Sequence, residues 1–76
     1  MSYDYGPLEA KIKEKFYTKE RFASALGIGR TALYAKLQGE SQFKQNEIYS
    51  MVQLLGIKKS EITIYFFTPK VRKTEV

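Results

Sequence analysis

Apolar residues recur at helical spacing near the start of the chain and again in its second half. Near the start, Leu8, Ile12 and Phe16 return every four residues and predict a helix over about residues 7–16. The second pattern, at i, i+3, i+4 and i+7, predicts a helix over about 45–55 with the apolar face Ile48, Met51, Val52 and Leu55. Both helices are amphipathic, so we expect each to turn one face to a shared core.

A shorter helix is predicted between these, starting after Thr18. Thr18 is a good N-cap, and the helical pattern ends at Leu26. Gly27 follows, a residue suited to the left-handed conformation at a helix end. Phe22 and Ala23 lie on the apolar face, and the small Ala23 lets another helix cross close by.

A third helix is predicted over Arg30 to Gln38. Its apolar pair is Leu33 and Leu37, supported by Ala32. Only Gly27 to Gly29 separate it from the preceding helical pattern. This spacing matches the tight connection of a helix-turn-helix.

The pattern over 59–67 fits two structures. Ile62 and Phe66 are spaced as on a helix, whereas the alternation of Ile62, Ile64 and Phe66 fits a strand equally well. We predict a short helix ended by Pro69, with the strand as the alternative. The fold is therefore expected to be all-α, a compact bundle of about five short helices. We divide the chain into an N-terminal arm over 1–6, one domain over 7–67 and a basic tail over 68–76.

Composition excludes several kinds of chemistry. The chain has 76 residues, which is room for one domain with a small core and none for an effector-binding domain. It contains no Cys and no His, which excludes disulfides, zinc sites built from these residues and His-based catalysis. We therefore expect no metal site, no cofactor and no enzymatic activity. No apolar stretch reaches the roughly 20 residues of a membrane span, and no signal-peptide pattern begins the chain, so we expect a cytoplasmic protein.

The net charge of +5 is spread unevenly along the chain. Residues 11–44 contain eight Lys or Arg against three Glu, and residues 58–76 contain five basic against two acidic residues. A small basic domain suggests a polyanionic partner. With a helix-turn-helix pattern, the expected polyanion is double-stranded DNA.

The segment from Thr18 to Gly39 contains a small Ala23, then Leu26-Gly27, Ile28, Leu33 and a final Gly39, and Leu54-Leu55-Gly56-Ile57 follows further along. With these residues it resembles the helix-turn-helix of the phage repressor and Cro-like proteins. The resemblance extends over about residues 7–67 and implies a lambda-repressor-like bundle. Two positions depart from the family pattern: Gly29 replaces a hydroxyl cap, and Lys36 stands where many members have an apolar residue. We therefore expect the third helix to be slightly rotated.

By this resemblance the third helix enters the major groove of DNA. Arg30, Thr31 and Tyr34 are the expected base contacts, since Arg can bond bidentately to guanine and Thr can meet a thymine methyl group. The implied function is sequence-specific binding of operator DNA by a transcription regulator of the phage Cro or repressor type. The expected phosphate contacts are Thr18, Lys19, Lys36, Gln38, Ser41 and Lys44.

Three aromatic residues close the domain: Tyr65, Phe66 and Phe67. More rings than a small core needs leave an exposed apolar patch, so we favour a homodimer contact here over pure core packing. A dimer predicts DNA half-sites about 34–36 Å apart. The tail either adds an extended arm to the partner or is disordered. The alternative function is a protein–protein interaction module on the same scaffold, antirepressor-like, with the aromatic C-terminus as its contact surface.

Overall fold

The structure, a computed structural model, describes residues 3–69 of the chain. Within this part a short 3-10 turn, Lys59–Glu61, leads into the last helix. The predicted all-α bundle is confirmed, and the segment after Gly56 is helical rather than a strand. The α-helices of the described residues are α1 (Gly6–Phe16), α2 (Lys19–Leu26), α3 (Arg30–Leu37), α4 (Gln45–Leu55) and α5 (Ile62–Phe66).

Local sequence sets both ends of α2, as predicted. Thr18 is extended, and its hydroxyl accepts a hydrogen bond from the Arg21 N–H at 3.1 Å. Gly27 has a φ of 87°, in the left-handed region that glycine adopts without strain. Its N–H donates to the Ala23 carbonyl at 2.9 Å. The helix stops there, and α3 begins directly after Gly29.

Side chains from all five helices meet in one core. The faces predicted for α1, α2 and α4 point to it, with Ile48 and Val52 half-buried at its edge. Ala32, expected to support the apolar face of α3, is exposed instead. The buried apolar residues are Leu8, Ile12, Phe22, Ala23, Leu33, Leu37, Met51, Leu55, Ile57 and Phe66.

Lys36 is buried beside this core, with 8% of its surface exposed. Its ammonium donates to the Gln42 carbonyl at 3.1 Å and lies 3.4 Å from the Glu47 Oε1. That oxygen also accepts a hydrogen bond from the Lys44 N–H at 2.8 Å. One buried cation thus holds the loop between α3 and α4. This corrects the expected phosphate contact of Lys36, and no rotation of α3 is needed, because position 36 faces inward.

Glu47 is ionised in this arrangement. Burial acts to raise the pKa of Glu47, but the Lys44 N–H and the Lys36 ammonium outweigh it and hold that pKa below its usual value. The ion pair is therefore present at neutral pH. Removing either partner leaves the other enclosed without a counter-charge.

Phe66 belongs to the core rather than to a dimer contact. It is 2% exposed, and its ring meets the Phe43 ring edge-on at a centroid distance of 5.9 Å. Tyr65 is half-buried, with the Lys11 ammonium 5.9 Å from its ring centroid. Phe67 is exposed. The expected homodimer contact is therefore corrected for Phe66, which could reach a partner only if the fold opened.

The N-terminal arm is tied to the end of the domain. Tyr3 forms an isolated antiparallel bridge with Pro69, and the Asp4 N–H donates to the Thr68 carbonyl at 2.8 Å. The arm therefore pairs with residues 68–69, the first two of the predicted tail over 68–76, and the rest of that tail lies outside the described residues. Among residues 3–69, no helix has the length and apolar character needed to cross a bilayer.

Replacing Lys36 by Met tests its structural role. The variant Lys36→Met keeps the bulk of the side chain but leaves the Gln42 carbonyl and the Glu47 carboxylate without their partner. We expect the free energy of unfolding to fall by about 1–3 kcal/mol. The matched control, Lys13→Met, changes an exposed lysine of α1 and should stay within about 0.5 kcal/mol of the wild type. Urea unfolding measures both, and equal stability of the two variants would contradict the role.

Candidate macromolecule-binding surfaces

The second and third helices pack against each other across the turn 27–29. Gly29 is the N-cap of α3, and it offers no side chain to the free N–H groups of the first turn. Arg30 and Thr31 stand in that turn and are exposed. The structure therefore exposes the end of α3 where the sequence predicts base contacts.

Both Arg30 and Tyr34 are bound to Glu20 of the neighbouring helix. The Arg30 Nη1 lies 3.3 Å from the Glu20 Oε2, and the Tyr34 hydroxyl donates to the same oxygen at 3.2 Å. The Arg30 guanidinium also lies 6.0 Å from the centroid of the Tyr34 ring. The Arg30 side chain is still 63% exposed. Of these two expected base contacts, Arg30 is therefore accessible and Tyr34 is half-buried, and each already has a carboxylate partner.

A second ion pair continues this contact toward α1. The Lys19 Nζ lies 3.1 Å from the Glu9 Oε1 and 5.3 Å from the centroid of the Tyr34 ring. Lys19 is one of the expected phosphate contacts. Two cations and two carboxylates thus share this surface, and their formal charges cancel. We call these residues the charge network: Glu9, Lys19, Glu20, Arg30 and Tyr34.

Glu20 carries a negative charge in the network at neutral pH. Its own backbone N–H, the Tyr34 hydroxyl and the Arg30 guanidinium hold the pKa of Glu20 below its usual value. The carboxylate is therefore charged at neutral pH and repels a phosphate that approaches Arg30. The sequence does not indicate this role of Glu20, because an acidic residue in the first turn of a helix already stabilises the helix through its dipole. Its partners lie ten and fourteen residues further along, and only the packing of α2 on α3 brings them together.

The remaining expected phosphate contacts fall into two groups. Thr18 is exposed, but its hydroxyl already caps α2. Gln38, Ser41 and Lys44 are exposed at the far end of α3 and in the loop that follows. They lie at the opposite end of α3 from Arg30. Among residues 3–69, no group of three or more acidic side chains is placed to hold a metal ion.

A second surface lies along the outer side of α4. Tyr49 is 67% exposed there, while Ile48 and Val52 are half-buried. The helical pattern places Ile48 and Val52 on the apolar face but does not single out Tyr49. Because Ile48 and Val52 are only partly covered, an open depression of about 500 Å³ remains beside them. We call it the apolar groove, and its lining residues are Ile48, Tyr49, Val52, Gln53, Ile57, Lys59 and Ile62.

Comparisons with known proteins relate the chain to a bacteriophage protein. The solution structure of the modulator of repression (MOR) of the temperate bacteriophage TP901-1 from Lactococcus lactis is similar to it, with 39% sequence identity and a TM-score of 0.78. The similarity covers 95% of this chain and 97% of that chain. A comparison with curated proteins finds no match.

These findings support a phage-related regulatory chain, which is a coarser assignment than the predicted membership of the phage repressor and Cro-like family. A family model described as "Protein of unknown function (DUF739)" matches residues 1–69. Because this match spans nearly the whole sequence, the chain belongs to the DUF739 family.

Proposed function

We propose that this chain is a phage regulatory protein that modulates repression by binding a repressor protein. The similarity to the modulator of repression of TP901-1 carries the proposal, since it extends over nearly the whole of both chains at 39% identity. A protein can modulate repression by contact with the repressor or by contact with the operator DNA. The charge network favours contact with the repressor. The proposed role is binding alone, with no cofactor and no catalytic step.

The charge network disfavours DNA as the direct partner. DNA-binding proteins gain affinity from Lys and Arg side chains that neutralise phosphates. Here Lys19 and Arg30 are each paired with a glutamate, so this part of the surface brings no net positive charge. Arg30 also has to leave Glu20 before it can bond a guanine bidentately. A protein partner with charges of both signs can bind the cations and carboxylates together.

Isothermal titration calorimetry with the purified repressor of the same genetic element tests this proposal. We expect a stoichiometric complex in the absence of DNA, because the proposed contact is between the two proteins. The same titration with operator DNA in place of the repressor is the control. Absence of binding to the repressor, together with tight binding to the operator, would contradict the proposal.

Sequence-specific binding of double-stranded DNA, as a regulator of the Cro or repressor type, is the second candidate. One observation favours it: Arg30 and Thr31 are exposed in the first turn of α3, the part of a recognition helix that enters the major groove. In this candidate Tyr34 is a further base contact, and Phe67 and Tyr65 contribute to a homodimer. Its phosphate contacts are Thr18, Lys19, Gln38, Ser41 and Lys44.

The variant Glu20→Gln tests whether the charge network lowers the affinity for DNA. The amide keeps an acceptor oxygen for Tyr34 but removes the charge that holds Arg30. We expect the affinity for double-stranded DNA to rise several-fold. The plot of log affinity against log salt concentration should steepen by about 0.9, the value for one more neutralised phosphate.

Fluorescence anisotropy over a series of salt concentrations measures both quantities. The matched control is Glu40→Gln, which removes an exposed carboxylate in the loop after α3 and should leave the slope unchanged. If both variants raise the affinity and the slope equally, the charge network does not govern DNA affinity. If neither differs from the wild type, Arg30 is not held back by Glu20.

A further inference from the structure

The apolar groove on the outer side of α4 has the form of a site for a helix. Ile48 and Val52 follow each other one turn apart along one wall. Ile57 and Ile62, from the segment that follows α4, complete the lining. A groove with apolar walls receives the apolar face of an amphipathic helix, which presents its anchoring side chains at i and i+4.

Tyr49 gives this groove a residue typical of protein interfaces. Its side chain is exposed although it is large and aromatic. Tyrosine is enriched among the few residues that carry most of the affinity of an interface, because it buries a large area with few rotatable bonds. An exposed tyrosine beside apolar walls therefore indicates that this groove binds a protein partner.

The charges around the groove specify its partner further. Lys59 is its one charged lining residue, and no acidic side chain lines it. Neither Lys59 nor its neighbour Lys58 has an ion-pair partner within 4.0 Å among residues 3–69. The Glu61 Oε1 accepts a hydrogen bond from the Lys58 N–H at 3.3 Å, and Glu61 does not line the groove. The groove therefore complements an acidic side chain.

We propose that the apolar groove binds an amphipathic helix of the partner protein, with two apolar side chains one turn apart in the groove and an acidic side chain against Lys59. This inference rests on the proposed function, in which the partner is a repressor. A second copy of this chain is a poorer occupant, because it brings its own net charge of +5 to a basic surface.

Variants of two exposed tyrosines test the proposal with the repressor. Tyr49→Ala should weaken binding to the repressor about tenfold or more, as for a central interface tyrosine. Tyr17→Ala, the matched control, removes an equally exposed aromatic ring that follows α1, far from the groove in sequence, and should leave the affinity unchanged. If the wild type binds the repressor and Tyr49→Ala binds it equally well, the groove proposal is overturned while the proposed function stands.

A peptide probe tests the groove without the repressor. The probe is a short Ala-rich helical peptide with Leu at i and i+4 and Glu one turn further, and the matched peptide carries Lys in place of that Glu. We expect NMR titration to shift the amide signals of Tyr49 and Val52, with the Glu peptide binding about two- to fivefold more tightly, the range of an exposed ion pair. The variant Lys59→Glu should reverse this preference.

The outcomes separate the groove proposal from the proposed function. Shifts at the groove with no binding of the repressor would overturn the proposed function alone. Shifts elsewhere, or equal binding of the two peptides by the wild type, would overturn the groove proposal. Sedimentation equilibrium adds a last outcome: a dimer of the wild type that Tyr49→Ala dissociates would assign the groove to a second copy of the chain instead.

Discussion

The turn over 27–29 holds α2 and α3 in contact, and the chemistry of their shared surface follows from that constraint. Gly27 takes the left-handed conformation that ends α2, and only Ile28 and Gly29 remain before α3 begins. With so short a connection and a core beneath both helices, Glu20 lies against Arg30 and Tyr34. The outcome is an exposed helix whose cation is already paired. A longer connection would allow α3 to move away from this carboxylate.

The helices were largely predictable because local residues determine their ends. The sequence predicts α4 over 45–55, and the helix has these bounds, since the apolar spacing ends directly before Gly56, whose φ is 67°. The segment over 59–67 was ambiguous in the sequence. Ile62, Ile64 and Phe66 alternate as on a strand, whereas Ile62 and Phe66 are also spaced as on a helix. Packing settles it: the Phe67 N–H donates to the Thr63 carbonyl at 2.9 Å, and Phe66 fills the core.

The candidate surfaces were less predictable, because they depend on pairs of side chains from different helices. Arg30 was identified from its position, but its partner Glu20 became evident only with the helices in place. The sequence predicts that Lys36 lies on the surface. In the structure it is buried, because Glu47 and the Gln42 carbonyl bind its ammonium. Tyr49 is not part of the apolar pattern of α4, so the sequence gives no reason to single it out. A sequence shows which positions face inward more readily than it shows which charges meet.

Selectivity for operator DNA shows whether the charge network directs this scaffold away from reading DNA. The measurement compares the affinity of the unmodified protein for the operator of its own genetic element with that for a scrambled duplex, at about 0.15 M salt. We expect weak and similar affinities for the two duplexes, both lost as the salt concentration rises. A preference for the operator of about 10³ or more, abolished by Arg30→Ala, would contradict this expectation and establish α3 as a recognition helix.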